Sequence, residues 1–212
     1  MKLYTYFRSS AAYRVRIAMN LKGLTYEPEF VHLAKGKHKE ASYIAVNPAG
    51  LVPALIDDNQ LLTQSLAIME YLEEVRPATH RLLPGSSLDR ARIRALSLLI
   101  SCEIHPLNNL RVLKYLVGSA GLSDEAKNTW YRHWVEDGLA KLEAMLRDGK
   151  AAKFCHGDTP TMADCCLVPQ IANGKRFDCN FAHVPTVMRI YESCNQLEAF
   201  QQAAPQNQPD NE

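Results

Sequence analysis

The chain has no cysteine before Cys102 and no acidic residue before Glu27. The first absence means that a thiolate needed anywhere in that stretch has to be brought in by a ligand. The second leaves Lys2, Arg8, Arg14, Arg16 and Lys22 uncompensated, a basic, Ser-containing composition that also suits a mitochondrial presequence. Yet Leu3-Tyr4-Thr5-Tyr6-Phe7 reads as a strand, and Val15, Ile17, Ala18 and Leu21 recur at helical spacing. The segment is therefore expected to be folded and the protein to be cytoplasmic. CxxC spacing is missing too: Cys102, Cys155, Cys165, Cys166, Cys179 and Cys194 sit largely in apolar stretches and read as reduced core residues rather than a disulfide framework. The seven histidines are scattered, none at zinc-finger spacing from a cysteine, so no metal site is expected. No apolar run approaches the roughly 20 residues that span a bilayer. A net charge of +1 supplies no global field for nucleic acid or a membrane surface, so recognition has to be local and the partner small.

What is present is 212 residues with ample apolar content, and their pattern divides in two. Up to about residue 80 it alternates: strand (2–6), helix (10–22), strand (27–31), a polar loop, strand (53–57), strand (60–62), helix (64–75). This is a βαβ unit followed by ββα. Gly23 suits the end of the first helix, and Asp57-Asp58-Asn59 suits a hairpin turn. From Asp89 onward the periods are helical, so 76–87, with Pro77, Pro84 and Gly85, reads as a linker. One long helix is expected over about 88–117, kinked at Pro106 so that His105, Asn108 and Asn109 turn toward a cleft. A second is expected over about 123–147, with Trp130, Trp134, Leu142 and Leu146 on one face. Thr161-Met162-Ala163-Asp164 has capping-box spacing and should start a buried helix. The polar stretch 201–212, with two prolines, reads as disordered.

Between the first strand and the first helix lies Arg8-Ser9-Ser10-Ala11-Ala12-Tyr13-Arg14. A strand-to-helix turn that ends in hydroxyls and free N–H groups is a natural cradle for an anion, because the helix start is also the positive end of its dipole. With no cysteine nearby, a bound thiol cofactor is the leading reading. Ser9 and Ser10 could equally be plain helix caps.

The chain as a whole resembles the zeta class of the glutathione transferases, the family of maleylacetoacetate and maleylpyruvate isomerases. The resemblance rests on Arg8-Ser9-Ser10 with Tyr13-Arg14-Val15-Arg16-Ile17-Ala18, on Asn47-Pro48-Ala49-Gly50-Leu51-Val52-Pro53-Ala54-Leu55 and on Gln64-Ser65-Leu66-Ala67-Ile68. It continues through His105-Pro106-Leu107-Asn108-Asn109, Gly157-Asp158-Thr159-Pro160-Thr161-Met162-Ala163-Asp164 and Leu167-Val168-Pro169-Gln170 leading to Arg176-Phe177. Each piece alone is weak, whereas the ordered set is highly specific. It implies a thioredoxin-like domain over 1–80, an all-helical domain over 88–204, a disordered tail over 205–212, and a homodimer.

The resemblance also implies a glutathione site. Ser9 and Ser10 lie beside the sulfur, where hydroxyl donors and a helix start lower a thiol pKa. Ala11 stands where the family often carries Cys and cannot donate, so thiolate stabilisation rests on Ser9, Ser10 and the backbone. Val52, before a cis Pro53, presents its backbone to the cysteinyl part like a missing strand. Gln64 and Ser65 suit the γ-glutamyl carboxylate, although a plain Ser cap would look the same. His38 matches a contact to the glycine end. His105, Asn108 and Asn109 fall at the glutathione site, with Glu103 beside them and able to reach the γ-glutamyl ammonium across a dimer interface. Arg8, Arg111 and Arg176 match positions lining a cleft, and a cluster of guanidinium forks selects a small dianion. Arg90, Arg92 and Arg147 read as solvated surface residues.

The implied activity is glutathione-dependent cis–trans isomerisation of a maleyl dicarboxylate: the thiolate adds to the activated double bond, the bond rotates, and elimination returns glutathione with the fumaryl product. A conjugating or α-haloacid dehalogenating transferase, or a non-catalytic glutathione-binding module, remains open at this point.

Overall fold

In the computed structural model, which describes residues 1–212, the strand and helix order of the first part follows the hydrophobic pattern. Strands β1 (Lys2–Thr5), β2 (Glu27–Phe30), β3 (Ala54–Asp57) and β4 (Gln60–Thr63) form one sheet in the order β2-β1-β3-β4. The β1–β2 pair is parallel, while β1–β3 and β3–β4 are antiparallel. Leu3 faces Leu55 in register and both are fully buried. Against them pack Val15 and Met19 of helix α1 (Ser10–Leu21) and Ile68 and Leu72 of helix α3 (Ser65–Val75), each pair four residues apart on one helix face. Each such buried side chain contributes about 1.5–3 kcal/mol. Gly23, with φ +66°, follows the last turn of α1, and Asp58 and Asn59, with φ 45° and 60°, make the hairpin turn. The stretch expected as a polar loop contains a short helix α2 (Ala41–Ile44), too short for its periodicity to show.

By contacts the chain divides into two compact units: Met1–Leu82 together with Asn195–Glu212, and Leu83–Cys194. The stretch 195–212 thus belongs with the first unit and not with the helical one, and 205–212 is ordered rather than a loose tail. Helix α9 (Glu198–Ala203) packs on α1, whose Tyr13, Arg16 and Asn20, spaced one turn apart, donate to the carbonyls of Phe200, Ala203 and Ala199. Beyond it the polar side chains bond the backbone: Asn207 donates to the Gln201 carbonyl, and Gln208 to those of Gln202 and Ala204. Composition suggested disorder because this stretch has little to bury, but its amides order the backbone directly.

The second unit contains helices α4 (Ser87–Leu98), α5 (Leu110–Gly118), α6 (Asp124–Met145), α7 (Met162–Lys175) and α8 (Pro185–Asn195). The expected long kinked helix is in fact α4 and α5 separated by a π-helical turn at Leu99–Ile104 and a 3-10 turn at His105–Asn108. The break opens well before Pro106, so the proline closes an irregular stretch rather than bending a continuous helix. Gly138 of α6 accommodates that stretch: a Cβ there would meet Ile104 Cγ1 at 2.4 Å. The buried stripe of α6 is Tyr131, Val135, Gly138, Leu139 and Leu142, with Trp130 and Trp134 only half-buried beside it. Helix α7 is buried on nearly every side, as its unbroken run Met162–Ile171 requires. Its start carries the expected capping box. Arg92, expected in solvent, is largely buried, pairing with Asp148 and donating to the Cys155 carbonyl at 2.8 Å.

Candidate active site

The sheet register decides where the first unit gathers its polar groups. Tyr4, Ala54 and Thr63 lie side by side across β1, β3 and β4. The antiparallel pairing therefore brings the end of β1, the start of β3 and the end of β4 to one edge, and the residues just outside that row are Arg8-Ser9-Ser10, Val52-Pro53 and Gln64-Ser65.

Ser9 caps α1 with extended backbone, and its hydroxyl oxygen accepts the Ala12 N–H at 3.2 Å. With that lone pair engaged, its O–H proton can point outward. Ser10 is buried in the first turn, Ala11 is half-buried behind it, and the turn contains no acid, so its N–H groups keep their positive field. The Ser9 N–H is itself held by the Tyr6 carbonyl at 2.9 Å. Arg8 is exposed, its guanidinium 4.9 Å from the centre of the Phe7 ring.

The Val52–Pro53 bond is cis, and the Val52 N–H and C=O take no partner within the chain. They form an open strand edge that an extended peptide can pair with. The turn before it is fixed by Tyr43 and Asn47, both donating to the Leu51 carbonyl at 2.6 and 2.7 Å. His38, half-buried in the 3-10 turn Lys37–Lys39, packs its carbonyl against Gly50, where a Cβ would lie only 3.1 Å from it.

Gln64 precedes α3 with φ 67°, a left-handed conformation that a non-glycine residue adopts at a cost of about 1–3 kcal/mol. Its side chain caps nothing. Ser65 is not the cap but the first helical residue, buried, with its hydroxyl accepting from Arg14 at 3.3 Å. Arg14, buried on α1, thereby ties the starts of α1 and α3 together. The sequence reading did not place it in the site; its signal was a guanidinium within an otherwise apolar helix face. No acid stands in the first turn of α3 either.

In the second unit the expected residues follow one another along the irregular stretch. Glu103 is exposed on the π-helical turn, and His105 is half-buried in the 3-10 turn. Asn108 donates to the Ile104 carbonyl at 3.4 Å, while its Oδ1 is buried without a partner. Asn109 caps α5 by accepting the Arg111 N–H at 3.1 Å. Trp130 Nε1 donates to the Leu107 carbonyl at 2.8 Å and fixes the turn from α6. A π-helical turn is uncommon and often marks a functional site. Arg176 ends α7, exposed, donating to Asn173 at 3.3 Å. The next residue, Phe177, stacks on Tyr131 at 3.7 Å and 11°. Neither Arg8, Arg111 nor Arg176 is paired with an acid.

The sequence matches the family description "Glutathione S-transferase, N-terminal domain" over residues 1–74. It is 49% identical over 210 residues to the probable maleylacetoacetate isomerase of Vibrio cholerae, covering 98% of this chain and 97% of that protein. The chain belongs to the zeta class of the glutathione S-transferases. A maleyl pyruvate isomerase described as a bacterial zeta-class glutathione S-transferase, in its holo form, superposes with a TM-score of 0.97 at 45% identity, each chain fully covered. The maleylacetoacetate isomerase of Methylobacterium extorquens AM1, solved with bound malonate and GSH, superposes at 0.96 with 41% identity, again over all of both chains. The four-stranded sheet followed by helices is thus the thioredoxin-like and helical arrangement of this class. What the geometry adds is that two helix starts free of acids, an unpaired backbone edge and a strained Gln64 stand at one edge of the sheet, groups of the kind that a peptide thiol with terminal carboxylates can use. No helix is long and apolar enough to cross a membrane.

Proposed function

We propose that this protein is a glutathione-dependent cis–trans isomerase that converts a maleyl dicarboxylate, maleylacetoacetate or maleylpyruvate, into its fumaryl isomer. The observation that carries the reading is the Tyr4–Ala54–Thr63 row, which collects two open helix starts and the Val52 edge on one side of the sheet. Glutathione, when bound, supplies a thiolate that adds to the double bond and departs after rotation, so that it is recycled.

The chain's own residues hold and polarise. Ser9 and Ser10 donate to the sulfur with the backbone of Ala11, at the positive end of α1. Val52 pairs with the cysteinyl backbone through its N–H and C=O. Gln64 and Ser65 receive the γ-glutamyl carboxylate at the start of α3. His38 serves the glycine end, and Glu103, His105, Asn108 and Asn109 complete the cofactor site. Arg8, Arg111 and Arg176, exposed and unpaired with acids, take the two substrate carboxylates and the negative charge that develops beside them during addition. The same reading makes the protein a cytoplasmic homodimer.

The test is absorbance-monitored turnover of each maleyl substrate by purified protein, with and without glutathione. Turnover that requires glutathione without consuming it, and that yields the fumaryl compound, is the expected result. Glutathione binding without turnover of either compound would overturn the isomerase and favour a conjugating, dehalogenating or binding role.

A further inference from the structure

Strand β1 ends at Thr5, so the Phe7 N–H emerges with no sheet partner, one residue before Arg8. A buried backbone donor needs an acceptor. The acceptor is Asp210 Oδ2 at 3.0 Å, 203 positions along the chain. Two more links bind the same corner to the same stretch. Arg16, buried in α1, donates to the carbonyls of Tyr6 and Phe7 at 3.3 and 3.1 Å and, through Nε, to the Ala203 carbonyl at 3.0 Å. Glu212 pairs with Lys35 and, at 3.2 Å, with His32, whose ring lies 4.9 Å from that of Tyr6. Tyr6 in turn meets Phe7 edge-on at 4.8 Å. Phe7 carries the Arg8 guanidinium on its ring, and the Tyr6 carbonyl holds the Ser9 N–H. Arg16 and the 203–212 stretch thus both hold the backbone immediately before the Arg8-Ser9-Ser10 turn.

We propose that the 203–212 stretch is a strap that sets the geometry of the Arg8-Ser9-Ser10 turn, with Asp210 as its principal positioning residue. Asp210 acts through the Phe7 amide. A carboxylate accepting from a backbone amide makes a strong, directional bond, so removing it frees the peptide that aims both the Ser9 hydroxyl and the Arg8 guanidinium. Glu212 acts further out, by holding His32 against Tyr6 and Lys35 in the loop that leads to His38. The proposal rests on the glutathione reading of the turn.

The test compares wild type, D210A, D210N and E212A in full-length protein, measuring the glutathione Kd, the ultraviolet thiolate titration of bound glutathione and the Tm. D210A should raise the Kd about tenfold, move the thiolate titration to higher pH and, where turnover is seen, lower kcat/KM by tenfold to about a hundredfold. D210N should recover much of this, because its amide oxygen can still accept from Phe7. E212A should show a smaller change in the same direction. If D210A lowers the Tm but leaves affinity and titration as in wild type, the strap is only structural and the proposal fails. Should D210A not fold, E212A carries the test: a Kd and a titration identical to wild type overturn it. A wild type that binds glutathione without isomerising either substrate overturns the isomerase alone and leaves the variant series decisive, whereas a wild type that binds no glutathione overturns both.

Discussion

The starts of α1 and α7 are built from the same kinds of residue and end in opposite states. At α7 the end is closed from within: Asp164 Oδ2 accepts the Thr161 N–H and hydroxyl at 2.7 and 2.8 Å, and Oδ1 accepts the Cys155 N–H at 2.8 Å. Burial pushes the Asp164 carboxyl up, with the hydrogen bonds from Cys155 and Thr161 pulling the other way. At α1 the cap is a neutral Ser9, the first turn has no acid, and the dipole faces outward. The difference is one carboxylate. A helix start that supplies its own anion contributes to folding, and one that withholds it is available to a ligand.

Removing the internal anion should therefore cost stability and spare binding. D164A leaves the Thr161 and Cys155 donors buried without an acceptor and should cost on the order of 3–5 kcal/mol, read from denaturant midpoints, with glutathione affinity retained by the folded fraction. Glu73, in the last part of α3, sharpens the contrast because it is a closed carboxylate within the binding unit. Burial alone would raise it, but hydrogen bonds from Arg81, Lys22 and the Leu82 amide bring it down to about 2 from an ordinary 4.5. A depressed acid stabilises fully above its unfolded value and loses that contribution as pH falls toward the folded one. Folding stability should thus drop by on the order of 3 kcal/mol as pH is lowered from about 4.5 to about 2, and E73Q should flatten that slope in pH-resolved unfolding.

Closing the open end should do the reverse of D164A. Placing an acid in the first turn of α1, as A11D, puts a carboxylate where the thiolate is proposed to sit. Glutathione binding by calorimetry should weaken at least about tenfold while the Tm is unchanged or slightly raised, since an acid at a helix start adds about 0.3–1 kcal/mol. The smallest effect belongs to S9A. It removes the bond to the Ala12 amide and should lower stability by about 1 kcal/mol, and it should shift the thiolate titration of bound glutathione upward. An unchanged titration would reduce Ser9 to a cap.

Much of the fold can be read from local pattern. The βαβ–ββα domain follows from strands only four residues long, the Asp58-Asn59 turn and two amphipathic helices, and the α7 capping box follows from Thr161 and Asp164 standing three apart. The sheet-edge residues proposed for glutathione are legible for the same reason, since they stand at the ends of elements: Ser9 caps α1, Val52 lies just before β3, and Gln64 joins β4 to α3. The break after α4 is not, because the π-helical turn depends on Gly138 admitting Ile104, two residues far apart in sequence. Nor is Arg14: its place between α1 and Ser65 is a matter of how two helices meet.

The sequence by itself determined the order of elements in the sheet domain, the chemistry of their ends and the family, since caps, turns and periodic apolar faces are set by residues within a few positions of one another. Only the tertiary structure decided that Arg16 would be buried among the carbonyls of Tyr6, Phe7 and Ala203, and that the polar residues 203–212 would return to the strand end before the Arg8-Ser9-Ser10 turn. An unpaired Phe7 amide and Asp210 carry no shared period. Only folding brings such a donor and acceptor together; the buried amide is costly to leave unsatisfied, and its bond adds to the others that order this polar stretch.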